Sequence, residues 1–199
     1  MKKRCFGDGD PLYEAYHDRE WGRPVTDERG LYERLCLEAF QAGLSWRTVL
    51  HKRVAFREAF ANFYPERVAR YTRRDVARLM KDAGIIRNRL KIEAAIANAR
   101  VLVELCETGG SLVSLVWSFA PARSHVPRKL ADMPAKTSAS EALSKALRAH
   151  GFRFVGPTTA YATMQAAGLV NDHFAGCPVR VAVERQRVVA LKKFPTLPS

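Results

Sequence analysis

The sequence predicts an all-α protein built as two helical lobes, and three observations predict it. Apolar residues recur at helical spacing through most of the chain, as in Leu31, Leu35 and Ala42 or in Ile92, Ala95, Ile96, Ala99 and Val103. Convincing period-2 alternation, repeats and low-complexity segments are missing. Helix starts and stops punctuate the chain, with Asp, Ser or Thr before a periodic stretch and Gly or Pro after it.

Taken in order, Asp10 caps a first helix with Pro11 at its first position, where a missing N–H costs nothing. Tyr13, Tyr16 and His17 share a face of it, and Trp21 to Pro24 ends it. Thr26 or Asp27 opens a second helix, which stops at Gly43 in a left-handed cap; Ser45 caps a third through Phe56 and Phe60, stopped at Tyr64-Pro65. Short helices follow from Glu66 to Tyr71 and from a Thr72 capping box to Lys81. A long helix from about Asn88 to Cys106 turns its apolar stripe to the core, with Arg87, Arg89, Lys91 and Arg100 on its flanks and far side. Ser111 caps a short helix through Trp117 and Phe119, and residues 120 to 137, rich in proline and basic groups, form the longest irregular segment. A helix from Ser140-Glu141 to His150, the stretch Gly151 to Ala160, and a helix to Gly168 complete the body. Residues 178 to 199 read as a basic tail, although Val179 to Leu191 is apolar enough to form a helix or pack on the body.

The 199 residues suffice for one substantial core or two lobes sharing a cleft, and 47% hydrophobic with 27% charged residues is ordinary globular composition. No run approaches ~18 apolar residues and the first residues lack a signal-peptide apolar stretch, so the expectation is a cytoplasmic protein with no membrane partner. The net charge of +13 points to a polyanion, nucleic acid before nonspecific stickiness. Disulfides are not expected among Cys5, Cys36, Cys106 and Cys177 in that compartment. Cys36 and Cys106 read as small core residues; Cys5 and Cys177 need another explanation.

Three constellations carry chemistry. The reversal at Gly43 brings Glu38 and Trp46 to one end of a helix pair, an acid beside an aromatic face and so a seat for a flat cationic ligand; separately, each also reads as a salt-bridged Glu and a core Trp. Tyr13 and Tyr16 likewise read as a core pair, and His17 as a structural histidine. Gly151 to Ala160 has the grammar of a helix-hairpin-helix, in which Gly156 takes a backbone conformation closed to other residues and Pro157 opens the next helix. The free N–H groups there suit a phosphate and are blind to base sequence, with Arg148 and Arg153 alongside. Cys5, His17, His173 and Cys177 together make the Cys2His2 set of a closed tetrahedral zinc site that staples the termini, weak evidence for metal by itself. The H-E-x-x-H pattern and the zinc deaminase signature are absent.

Several blocks in one order resemble the DNA-3-methyladenine glycosylase I family over about residues 4 to 177: Asp10 to Gly22, Leu37 to Trp46, Asp82 to Arg87, Val116 to Phe119, Thr137 to Ser140, and Gly151 to Gly156 with Gly168 to His173. The resemblance implies a helix-hairpin-helix glycosylase domain over residues 1–177 and a separate tail over 178–199. It implies hydrolysis of the N-glycosidic bond of 3-methyladenine in alkylated double-stranded DNA, releasing the free base from a monomer. It also implies one structural Zn2+ on Cys5, His17, His173 and Cys177, a catalytic Glu38, and a base pocket of Tyr13, Tyr16 and Trp46. The backbone grip falls to Gly151, Arg153, Gly156 and Thr158. One departure stands out: the family has a tryptophan two residues after the first cysteine, whereas Phe6-Gly7-Asp8 follows Cys5 here and the interval to His17 is one residue shorter, so Phe6 is the candidate stacking wall. Asp172 is a rival acid, placed instead as a partner of His173. The competing classes are a noncatalytic zinc-stapled DNA-binding protein, which leaves Glu38 without a job, and a zinc hydrolase, which needs an open coordination position.

Overall fold

The structure, a computed structural model, describes residues 4–7 and 9–194. Among them there are ten α-helices and no strand: α1 (Pro11–Arg19), α2 (Glu28–Gln41), α3 (Trp46–Ala59), α4 (Pro65–Val68), α5 (Arg73–Lys81), α6 (Arg89–Glu107), α7 (Leu112–Trp117), α8 (Ser138–Ala149), α9 (Pro157–Ala166) and α10 (Arg180–Leu191). The caps fall where local chemistry puts them. Asp10 accepts from Leu12 and Tyr13, Asp27 from Gly30, Ser45 from Thr48, and Thr72 pairs with Asp75 in a capping box.

Helix α2 is the axle of the molecule. Leu31, Tyr32, Leu35, Cys36, Leu37 and Phe40 are all buried on it, and it packs against α3, α6, α7 and α9. A helix apolar on so many sides must run through a core rather than lie on one. The rings of Phe40, Phe56, Phe60 and Phe63 pack successively beside it. Burying each is worth about 1.5–3 kcal/mol.

Three expectations change. Helix α3 stops at Ala59 rather than running through Phe60, because Ala61, Asn62 and Phe63 turn through left-handed φ of 51°, 54° and 54°. The strain of that turn is offset by stacking the buried Phe60 and Phe63 rings 5.6 Å apart. Lys91 does not lie on the outer side of α6; it is buried, and its ammonium donates to the carbonyls of Phe40 (3.0 Å) and Ala42 (2.6 Å), which the end of α2 leaves unpaired. Cys106, expected in the core, is exposed.

After Cys177 the apolar segment takes the helical alternative as α10. Val183 and Ala190 are buried, and the buried Arg187 donates to the carbonyls of Leu169 (2.8 Å) and Pro121 and pairs with Glu184. The last five residues of the expected tail lie outside the described residues, as does Asp8. No described helix is long and apolar enough to cross a membrane.

Candidate functional site

Helix spacing splits the face of α1 between two jobs. Tyr16 turns toward α3, where its ring lies 5.1 Å from that of Trp46. His17, one residue on, turns the other way, to His173 at 4.7 Å between ring centroids. Phe6 bridges the two: it stacks on Tyr13 at 4.6 Å, lies 6.4 Å from Tyr16, and sets its edge to His17 and Trp21. Phe6 thus lies within the ring cluster. A glycine at position 7 lets the segment pass close to α1, since a Cβ there would stand 2.7 Å from the Glu14 side chain.

Asp10 locks α1 and α3 together. One oxygen caps α1, and the other receives Arg47 Nε (2.8 Å) and His51 Nε2 (2.6 Å) from α3. The His51 contact, with help from Tyr13 N–H and Arg47, holds the Asp10 carboxyl well down, at about 2. Asp10 therefore stays charged at any working pH and keeps Tyr16 facing Trp46.

Glu38 is 5% exposed, next to these rings through Tyr16, whose hydroxyl feels its charge. Among the described residues no hydrogen bond reaches the Glu38 carboxyl. Burial pushes its pKa up to about 8, and among the described residues only the charge of Arg34 opposes that rise. The Trp46 indole N–H is also buried without a partner among the described residues. A desolvated acid and an unspent donor beside stacked rings are unfavourable in an empty core and favourable around a polar, flat ligand.

On the other side of Phe6, Cys5, His17, His173 and Cys177 put their ligand atoms within 4.8 Å of one another. The inner edges are 3.2 Å from His17 Nε2 to His173 Nδ1, 3.6 and 3.4 Å from Cys177 Sγ to the two histidines, and 3.7 Å from Cys5 Sγ to His173. A tetrahedron with bonds of about 2.0–2.1 Å to nitrogen and about 2.3 Å to sulfur has edges of about 3.3–3.8 Å. The residues therefore fit a tetrahedral cation. Their outer atoms are already assigned: His17 Nδ1 pairs with Asp18 (2.8 Å) and His173 Nε2 donates to the Trp21 carbonyl (3.0 Å), leaving Nε2 and Nδ1 respectively to point inward. Hydrogen bonding with Cys5, His17 and His173 drives the Cys177 thiol down toward thiolate, the form a metal needs.

The expected link from Asp172 to His173 is not there. Asp172 accepts instead from Tyr161 Oη (2.6 Å) and Gln165 Nε2 (2.7 Å), because its side chain turns back to α9 while its neighbour turns to α1. Trp21 and Asp18, which sequence reasoning passed over, are the groups that orient the histidines. Their only signal was nearness in sequence, since Asp18 follows His17 and Trp21 stands four residues beyond it.

Between α8 and α9 the hairpin forms as expected, with one correction. Gly156 sits at φ −60°, an ordinary conformation, and a Cβ there would meet nothing closer than Arg148 Nη2 at 3.6 Å. The left-handed positions are Gly151 (φ 91°) and Phe154 (φ 55°), because the chain reverses just after α8 and again before Val155 turns inward. The hairpin is held from below by Asn98 of α6, which accepts from Arg153 N–H (2.7 Å) and donates to the Arg153 carbonyl (3.0 Å), and by Ser144, which donates to the Val155 carbonyl. Phe152 and Val155 are buried, so Gly151, Arg153 and Phe154 face outward and α9 begins with Pro157, Thr158 and Thr159. Asn98 is a further residue the sequence did not reveal.

Comparison with known proteins agrees with this geometry. A family model described as methyladenine glycosylase matches residues 6–181. The DNA-3-methyladenine glycosylase 1 of Escherichia coli (strain K12) is 54% identical over 170 residues, which cover 84% of this chain and 91% of that protein. The DNA-3-methyladenine glycosylase of Haemophilus influenzae is 45% identical over 186 residues, covering 92% and 100%. Among solved structures, a crystal structure of 3-methyladenine DNA glycosylase I superposes with a TM-score of 0.86 at 50% identity, covering 88% of this chain and 98% of that one. A Staphylococcus aureus 3-methyladenine DNA glycosylase I, solved for its recognition of 3-methyladenine, gives 0.84 at 37% identity, covering 90% and 97%. With its hairpin, its buried acid and three of its four clustered ligands, His17, His173 and Cys177, inside residues 6–181, the chain belongs to the methyladenine glycosylase family.

Proposed function

We propose that this protein is a DNA repair N-glycosylase that removes 3-methyladenine from alkylated DNA, with Glu38 as the carboxylate that receives the base. The observation that supports the residue assignment is the buried Glu38, free of protein hydrogen bonds among the described residues and within electrostatic reach of Tyr16, whose ring meets that of Trp46.

A base stacked in a duplex is out of reach, so the lesion is first extruded into the pocket. The α8–α9 hairpin supports that step: the backbone at Gly151, Gly156 and Thr158 and the Arg153 side chain grip phosphates irrespective of sequence. N3-alkylated adenine is cationic. Trp46, Tyr16 and Phe6 stack on it, Tyr13 lines the pocket, and Glu38 accepts hydrogen bonds from the purine edge. The incoming cation draws the raised Glu38 pKa down, and the carboxyl ionises with its proton passing to solvent. When the glycosidic bond breaks, its electron pair passes to the purine, which leaves neutral. Water adds to the sugar carbon and releases its proton to solvent, leaving an abasic site. The leaving group is already activated, so no strong general acid is needed.

The Cys2His2 group takes zinc in this reading. With four protein ligands it has no open position, so zinc supplies no hydrolytic chemistry; Cys5, His17, His173 and Cys177 join the two ends of the domain and set Phe6 against Tyr13. The protein works as a cytoplasmic monomer on double-stranded DNA.

The test is incubation with methylated duplex DNA and chromatographic identification of what is released. The expected result is free 3-methyladenine and an equal number of abasic sites. Tight DNA binding with every base retained would instead support a noncatalytic damage-recognition protein.

A further inference from the structure

Two guanidinium groups converge on one carboxylate beside the Tyr16 ring. Arg53 reaches both oxygens of Glu20, at 2.5 and 2.8 Å, and Arg34 reaches one of them at 3.2 Å. Both cations stand 5.9 Å from the Tyr16 ring centroid. The Arg34 and Arg53 side chains are 11% and 10% exposed, so the triad holds one uncompensated positive charge largely out of water. The surplus sits on Arg34, whose Nη1 is buried with no partner among the described residues. About one helical turn further along α2 on the same face stands the buried carboxyl of Glu38, the i,i+4 neighbour of Arg34.

We propose that Arg34 is a positioning residue for Glu38: its unspent charge favours the carboxylate form, so that an acid withdrawn from water still ionises to meet a cationic purine. The proposal rests on the reading of Glu38 given above. The remaining charged and titratable groups around this part of α2 are otherwise engaged. Tyr16 of α1 is kept protonated by burial, and Glu20 is held by the two arginines. Arg53 of α3 spends its charge on Glu20, and Lys91 of α6 is hydrogen-bonded to the end of α2. On α2 itself Glu28 accepts from the start of α7 and Glu33 pairs with Arg57. Tyr161 of α9 is bound to Asp172. Among the described residues Arg34 alone is the charge that opposes the desolvation of Glu38.

Arg34→Met keeps the apolar stem and removes the charge. Glu38 then titrates on the order of one pH unit higher, so at pH 7 the ionised fraction and kcat/KM fall about tenfold, and the deficit closes as the pH is raised. Arg34→Lys keeps the charge and restores most of the titration. A loss of packing alone would lower activity equally at every pH.

The deciding experiment follows the carboxyl carbon resonance of Glu38 by NMR across about pH 6 to 10, in full-length wild type, Arg34→Met and Arg34→Lys labelled on glutamate, with Glu38→Gln to assign the signal. An upward displacement in Arg34→Met that Arg34→Lys reverses is the expected result. An unchanged Glu38 titration in folded Arg34→Met overturns the proposal, whatever its activity. A displaced titration with unaltered excision would leave Arg34 acting on Glu38 and remove Glu38 from the reaction, so the two readings fail separately.

Discussion

Replacing Glu38 by Gln keeps the volume and removes a carboxyl that burial holds near a pKa of about 8. The ordinary value is 4.5, so the elevation is 8 − 4.5, or about 3.5 units, and at 1.36 kcal/mol per unit the charged form costs the fold roughly 5 kcal/mol at most. The sign follows from linkage. A carboxyl whose folded pKa is raised costs nothing below 4.5, and its penalty grows as the pH climbs from 4.5 through 8. Glu38→Gln escapes that penalty. Its stability relative to wild type should therefore be level near pH 4 and rise steadily to a gain of several kcal/mol near pH 9, which for a chain of this size is about 2–4 °C in melting temperature per kcal/mol. Thermal melts of both proteins through that pH range make the measurement. A melting-temperature difference that stays constant from acid to alkaline pH would refute the placement of Glu38 as a desolvated acid.

Trp46→Ala should weaken binding of 3-methyladenine about tenfold or more by losing a stacking ring, and Phe6→Ala should do so to a lesser degree; calorimetry that finds unchanged affinity would discard the stacking role. Chelator treatment, or Cys177→Ser, should lower the melting temperature together with the zinc content, and activity should fall with the folded fraction rather than before it. Asn98→Ala removes two hydrogen bonds from the Arg153 backbone and should cost about 1–3 kcal/mol of DNA affinity while leaving free-base binding intact, as read by titration with each ligand. Asp172→Asn should destabilise the chain by loosening Tyr161 and Gln165, yet leave single-turnover excision by the folded protein within a few fold; a collapse of that rate would restore Asp172 as a catalytic acid.

What the sequence made legible was local or repeated along the chain. Asp10, Asp27, Ser45 and Thr72 could be read as caps because a cap is made within three residues of itself. The helices that carry Glu38 and Trp46 could be set on either side of one left-handed turn because Gly43 marks it locally. Long-range groups were not legible. Nothing in the run Asn98-Ala99-Arg100 says that its asparagine reaches Arg153, 55 residues on, and nothing marks Lys91 as the group that satisfies the end of α2. Gly156 was misread as needing a conformation closed to other residues; it is ordinary extended backbone, while the left-handed positions are Gly151, where glycine takes it freely, and Phe154, where a side chain makes it strained. Asp172 was assigned to the wrong partner because adjacency in sequence to His173 says nothing about which way two successive side chains point.

The measurement that bears most directly on the account is the single-turnover rate of 3-methyladenine release from methylated duplex DNA at pH 7, wild type beside Glu38→Gln. Loss of one charge-assisted hydrogen bond in a water-poor pocket is worth about 2–4 kcal/mol, so the variant should be slower by about 30- to 1,000-fold while its zinc content and DNA binding stay unchanged. Equal rates would contradict the claim that this buried carboxylate receives the base.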